Sequence, residues 1–117
     1  MVRFCRWLRT EYEFPVYLPV YLSPRKLIVT LNGLATASFF VPDDPHKNVM
    51  IRIATGDFEE QKKSIGRDNA LASELNSLAH ELIHYRQWLE TDSMSERGVV
   101  VKARHIIWAY AKTVDHP

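Results

Sequence analysis

The stretch LASELNSLAHELIHYRQWL, residues 71–89, decides the fold of this chain. Its leucines recur at three, four or seven residues, at Leu71, Leu75, Leu78, Leu82 and Leu89. At about 100° per residue they fall on one narrow stripe, which predicts a helix with one side against a core. The helix is expected to begin near Asp68, and Asp68 or Asn69 is a candidate for its N-cap.

Two histidines of this helix stand one turn apart in the motif His80-Glu81-Leu82-Ile83-His84. The i, i+4 spacing lets both imidazoles reach one metal ion. They lie about 180° to 220° around the helix from Leu71, opposite the leucine stripe, so we do not expect core histidines. The alternative is a pair of solvated polar residues on an outer face. Between the two histidines, Glu81 can take a proton from a zinc-activated water and pass it to a leaving nitrogen.

The chain before this helix has the pattern of β-structure. Residues 16–22 alternate apolar side chains with others, and Pro19 among them predicts an edge strand or extended arm. Residues 27–31 form a β-branched run, and Asn32-Gly33 after it is a strong hairpin signal. Residues 34–41 are expected to be the returning strand.

A loop at residues 42–45 leads to a further strand at residues 48–54, and a second helix is expected after Ser93. The apolar stripe of this helix is Val100, Ala103, Ile107, Ala111 and Val114. The pattern predicts one α+β domain over residues 1–117. In it, a small twisted mixed or antiparallel sheet of three to four strands precedes the motif helix and a C-terminal helix.

The motif helix after a sheet resembles the zincins, whose core is a mixed sheet packed on an active-site helix. The chain is similar to minimal phage and bacterial zincins, with gluzincin-like and SprT-like features. The resemblance covers residues 27–111, and only the five-residue motif is specific. It implies a zinc metallopeptidase acting on polypeptide, with Zn²⁺ on His80 and His84, and Glu81 as general base. It also implies that residues 48–54 are the sheet edge that binds extended substrate by strand addition.

A catalytic zinc normally has three protein ligands and a water, and three residues are candidates for the third. Glu90 stands ten residues after His80, where metzincins place theirs. The leucine stripe to Leu89, however, carries the helix past the metal. His105 lies about 140° from Val100 and is expected at the surface.

Glu96 is the candidate that we favour, because it opens the second helix on the side that faces the first. It resembles the third ligand of gluzincins and lies about where SprT-like proteins place a third histidine. The chain departs from that pattern, since the Glu-x-x-Ala of several relatives reads 100–103 Val-Val-Lys-Ala here. Ser93 and Glu96 also have the spacing of a capping box, which is the competing role.

Other side chains are assigned weaker roles. The resemblance implies a tyrosine or histidine that stabilises an oxyanion, and Tyr110 and His105 are the candidates. Tyr85 is expected in the core. Gln87 and Trp88 flank the histidines and are candidates to line the cleft, but a packing role is favoured for both.

Composition bounds the remaining possibilities. The 117 residues carry a net charge of +1, and Cys5 is the one cysteine. A cytoplasmic protein is expected, because the N-terminus lacks the pattern of a secretory signal and apolar runs are too short to span a membrane. The charge gives no sign of nucleic-acid binding, which an SprT-like DNA-associated protease would need. A non-catalytic protein in which zinc clamps the two helices is the other alternative.

Overall fold

The computed structural model describes residues 1–44 and 46–113. Over these residues the chain is an α+β fold of four helices and five strands. The helices are α1 (Val2–Glu11), α2 (Phe58–Ile65), α3 (Arg67–Thr91) and α4 (Val99–Ala111). The strands are β1 (Val20–Ser23), β2 (Ile28–Thr30), β3 (Gly33–Ala35), β4 (Ala37–Phe40) and β5 (Met50–Ala54). Pro45 of the predicted loop and Val114 of the predicted stripe lie outside the described residues.

The main sheet is small and mixed, as expected, with strand β5 at its centre. β5 runs parallel to β1 and antiparallel to β4, so the order is β1-β5-β4. The expectation that residues 48–54 form a substrate-binding edge is therefore wrong, because both sides of β5 are paired. β1 is an edge strand, as expected. It begins only at Val20, after Pro19, whose carbonyl accepts the Ile51 N–H at 3.0 Å.

Strands β2 and β3 form a separate antiparallel hairpin, which confirms the predicted turn. Gly33 pairs with Thr30 at φ +114°, a backbone conformation that suits glycine. The expectation of one returning strand over residues 34–41 is wrong. The chain breaks at Thr36, whose carbonyl accepts the Ala54 N–H at 2.8 Å, and then enters the main sheet as β4. The pairing partner changes at this break, which residue type alone does not encode.

Helix α3 contains the leucine stripe, as predicted, and lies at the centre of the fold. It packs against α2, α4, β4 and β5. Its N-cap is Gly66, so the expected cap by Asp68 or Asn69 is wrong; the Asn69 amide donates to the Ile65 carbonyl at 2.9 Å instead. The helix runs to Thr91, about two turns beyond the histidines, as the stripe predicted.

Helix α4 begins later than expected, at Val99, because residues 92–98 form a loop. The loop starts at Asp92 in the left-handed conformation, which aspartate tolerates better than most residues. The buried side of α4 is Val99, Ala103, Ile106 and Tyr110. The expected stripe is wrong at Val100, which is 55% exposed. The predicted stripe and the observed buried residues both have helical spacing, and both include Ala103. The packing of α4 on α3 determines which of the two sets is buried.

The two other helices were not predicted. α1 buries Phe4 and Leu8, and the Phe4 ring meets Tyr110 of α4 edge-on at 4.9 Å between centroids. α2 has no buried residue, so it carries no apolar stripe to find. None of the helices in residues 1–44 and 46–113 is both long enough and apolar enough to cross a bilayer.

Candidate metal centre

The two histidines of the motif lie on one side of α3, with ring centroids 5.1 Å apart. His84 is 7% exposed, and the His80 side chain is 28% exposed. The helix face opposite the leucine stripe is therefore not an outer, solvated surface. Strand β4 and the loop at residues 92–98 border the same cleft as His84, and they shield this face from water.

Glu81 is buried beside the histidines, with 7% of its surface exposed. Its carboxylate receives a backbone hydrogen bond from Phe39 of β4, while its Oε2 has no partner among the described residues. Burial raises the pKa of Glu81, and the nearby His84 and His80 act in the opposite direction. Ligand atoms of His80, Glu81 and His84 all lie within 4.8 Å of one another, so this group can hold a metal ion.

Glu96 reaches the histidines from the loop between α3 and α4. Its Oε1 lies 2.9 Å from Nε2 of His84, and its Oε2 lies 3.1 Å from Nε2 of His80. The capping-box alternative is wrong, because α4 begins only at Val99 and has no side-chain cap. The expected position at the start of a helix is corrected to a loop, yet the carboxylate faces the motif.

This donor set fits a divalent metal. Two ligands of one tetrahedral zinc, each at about 2.0–2.1 Å from the metal, are roughly 3.3 Å apart. The two His–Glu96 separations are slightly shorter than that. Two imidazoles and one carboxylate also form a common ligand set of catalytic zinc. The Glu96 side chain is 74% exposed, so it can move relative to the histidines without disturbing the core.

The other candidate residues lie elsewhere. Glu90 is exposed near the end of α3. His105 is exposed on α4 and stacks on Trp108 at 5.6 Å between centroids. Tyr110 is buried against the aromatic rings of α1. Among the described residues that line the cleft at the histidines, none of these three occurs.

Of the residues that follow the motif, Tyr85 lies in the core as predicted, whereas Gln87 and Trp88 are not among the described residues that line the cleft. Tyr85 is fully buried, and its hydroxyl hydrogen-bonds to the backbone of Val16. Trp88 packs against Phe39 with 5.9 Å between ring centroids. Gln87 contacts His84 itself, with 3.0 Å between Oε1 and Nδ1.

The cleft beside this group has a volume of about 750 Å³. The β2–β3 hairpin and β4 form one wall, and Met94, Ser95 and Glu96 of the loop form the other. Glu81 and His84 lie between these walls. Glu81, His84 and Glu96 therefore face an open groove that can admit a second molecule.

Two contacts of the site were missed from the sequence. Phe39 reaches Glu81 through its backbone, and Ser95 reaches Gln87 through its backbone. No local pattern marks a residue that contributes only its main chain, because every residue has one. The i, i+3 spacing of His84 and Gln87 was the one available signal.

Comparison with known proteins gives no relative: no family model, curated protein or solved structure matches this chain. The site is therefore interpreted from its own residues.

Proposed function

We propose that this chain is a zinc-dependent peptidase in which His80, His84 and Glu96 hold the metal and Glu81 is the general base. The observation that carries the proposal is the position of Glu81. The Glu81 carboxylate is buried, its pKa is raised, and its Oε2 has no partner among the described residues. It lies beside three side chains that can ligate a metal, those of His80, His84 and Glu96. Catalytic sites are where such perturbed carboxylates concentrate.

The proton chemistry follows from the environment of Glu81. When bound, zinc polarises a carbonyl and lowers the pKa of water at the site to roughly 7. Glu81 would accept the proton of that water at Oε2, the carboxylate oxygen that has no partner among the described residues, and would pass it to the leaving nitrogen.

Zinc is the metal that this chemistry favours. The same two histidines and one carboxylate also suit ferrous iron, which supports oxygen chemistry. A carboxylate between the two histidines, free of the ligand set, is the arrangement of a zinc hydrolase. Elemental analysis of protein purified without chelator distinguishes the two metals.

The cleft favours an extended polypeptide as substrate. Among the described strands, β4 pairs with β5 alone, and β4 also lines the cleft, so it can accept another strand. Val29, Leu31 and Leu34 of the hairpin line the same cleft and are 67%, 92% and 67% exposed. We therefore propose that segments with bulky apolar side chains are preferred.

A second candidate is a non-catalytic zinc site that joins α3 to the α3–α4 loop. It is favoured by the closeness of Glu81, which would supply a fourth protein ligand and close the site. The two functions differ in what Glu81→Gln does. In a closed site the variant loses a ligand and zinc affinity falls, whereas a peptidase keeps its zinc and loses hydrolysis.

The direct test is to load the protein with zinc and incubate it with unfolded polypeptides. Mass spectrometry of the fragments is expected to show cleavage that a chelator stops and added zinc restores. Intact substrate after incubation with protein that binds one zinc per chain would favour the closed, non-catalytic site.

A further inference from the structure

Gln87 lies one turn after His84 on α3, and its side-chain amide contacts both His84 and Ser95. Its Oε1 is 3.0 Å from Nδ1 of His84. The same oxygen accepts the Ser95 N–H at 3.1 Å, and the Gln87 Nε2 donates to the Ser95 carbonyl at 3.0 Å. Because a backbone N–H can only donate and a carbonyl can only accept, Ser95 fixes which end of the amide faces His84.

The fixed amide determines where the proton of His84 lies. An oxygen at 3.0 Å from Nδ1 requires that Nδ1 carry the hydrogen. The other ring nitrogen, Nε2, faces Oε1 of Glu96 at 2.9 Å and is the atom left to coordinate a metal. A hydrogen-bond partner on the far nitrogen is the usual means of orienting a metal-bound histidine.

The same amide also places the third donor. Ser95 directly precedes Glu96 in a loop whose residues, 92–98, are all exposed. Burial therefore does not hold this loop. The bonds of Gln87 to Ser95 and of Thr91 to Ser93 tie it to α3, beside bonds within the loop itself. The contacts form a closed cycle from His84 through Gln87 and Ser95 to Glu96 and back to His84.

We propose that Gln87 is a positioning residue that couples the tautomer of His84 to the placement of Glu96. This inference rests on the metal site of the proposed function. It implies that the affinity for the metal depends on both α3 and the loop at residues 92–98. Removal of Gln87 releases both donors together. Loss of a partner of this kind typically weakens metal binding by about 10–100-fold.

The chain contains a matched control. Gln61, the other glutamine, donates its Nε2 to Asp57 Oδ2 at 2.8 Å on α2. Gln87→Ala is expected to lose zinc affinity by about 10–100-fold in competition with a chelator. Gln61→Ala is expected to keep the wild-type affinity. In a Glu96→Ala background the loss from Gln87→Ala is expected to shrink, because only the His84 contact remains to be lost. Equal losses in the two backgrounds would overturn the coupling.

A metal-free readout separates this inference from the proposed function. The Ser95 amide is expected to exchange its hydrogen about 3–10-fold faster in Gln87→Ala than in the wild type. Gln87→Glu keeps an acceptor for both the His84 Nδ1–H and the Ser95 N–H but cannot donate to the Ser95 carbonyl, and it is expected to keep a hydrogen on Nδ1 of His84 in a nitrogen-correlated NMR spectrum. Gln87→Met, which removes both polar atoms of the side chain, serves if the alanine variant does not fold. Unchanged Ser95 exchange in Gln87→Ala or Gln87→Met overturns the inference, even if the wild type binds no zinc.

Discussion

Glu74 and Glu81 lie seven residues apart on α3 and therefore on nearly the same side of the helix. Burial raises the pKa of both, and each has one carboxylate oxygen without a hydrogen-bond partner among the described residues. Their charged neighbours differ. Glu81 lies beside His84 and His80, which favour its ionised form, whereas Asp57 raises the pKa of Glu74 further.

The difference shows that a buried, unpartnered carboxylate does not by itself mark a site. Glu74 is half-buried, and burial shifts its pKa in the same direction, but among the described residues no group of side chains that could hold a metal lies beside it, and Asp57 makes its charge less favourable. Around Glu81 the donors come from α3 and from the loop that precedes α4. What distinguishes a site is the convergence of different side-chain types from separate elements on one point.

The largest expected effect is on the zinc content of the protein. It tests whether the two histidines are what distinguishes the surroundings of Glu81 from those of Glu74. The variants His80→Ala and His84→Ala each remove an imidazole that no neighbour replaces, so we expect about one zinc per chain in the wild type and none in the double variant. Elemental analysis after purification without chelator measures this. Equal zinc in wild type and double variant would contradict the site.

The next effect compares the two glutamates directly. Glu81→Gln keeps the shape of the side chain but cannot take a proton, so peptide hydrolysis is expected to fall by about 10²–10⁴-fold while zinc is retained. Glu74→Gln is the matched control and should hydrolyse at the wild-type rate. Activity of Glu81→Gln within a factor of two of wild type would remove Glu81 from the mechanism.

The third effect concerns Glu96, which lies beside the histidines near Glu81 and, in the part of the chain that the structure describes, has no counterpart near Glu74. Glu96→Ala is expected to weaken zinc binding by more than the roughly 10–100-fold typical of outer partners, because it removes a direct ligand. Glu90→Ala and His105→Ala, both at exposed positions, should bind zinc as the wild type does. Chelator competition on the three folded variants decides. An unchanged affinity in Glu96→Ala would exclude it from the ligand set.

The smallest effect is the dependence of stability on pH at Glu74. Folding raises the pKa of this group above its ordinary value of 4.5, so the folded state disfavours its ionised form. At pH 7 the charge destabilises the fold, and Glu74→Gln is expected to raise Tm by about 1–3 °C. Below pH 4.5 both states are protonated, and the difference should vanish. Thermal unfolding of wild type and variant across this range measures it; a gain that persists at low pH would assign it to another cause.

The centre of this fold was predictable from the sequence, because α3 carries both its leucine stripe and its motif in consecutive turns. The two other helices show why more could not be predicted. In α2, Glu59 and Glu60 near the start and Lys62 and Lys63 near the end match the helix dipole, but without an apolar face this signal is weak. In α1, Phe4, Trp7 and Leu8 have the i, i+3, i+4 spacing of a helix face, but this pattern spans little more than one turn.

The strand errors have a different cause. Side-chain alternation identified β5 but not its neighbours, and whether a strand is central or at an edge depends on residues distant in sequence. The break at Thr36 arises because the chain leaves one sheet and joins another. For the candidate site, His80, Glu81 and His84 lie within five residues and could be predicted together. The approach of Glu96 was inferred, but the loop that carries it was not.

The loop at residues 92–98 has a consequence for how this site can change. His80, Glu81 and His84 are encoded in a helix that the core cannot do without, whereas Glu96 stands on a segment with no buried residue. Side-chain substitutions in this loop leave the packing of the core untouched, although Gly98 at φ +74° favours glycine, so position 96 can vary independently of the fold. Histidine, aspartate or cysteine at position 96 would alter donor hardness and hence metal preference, without requiring the helix or the sheet to adapt.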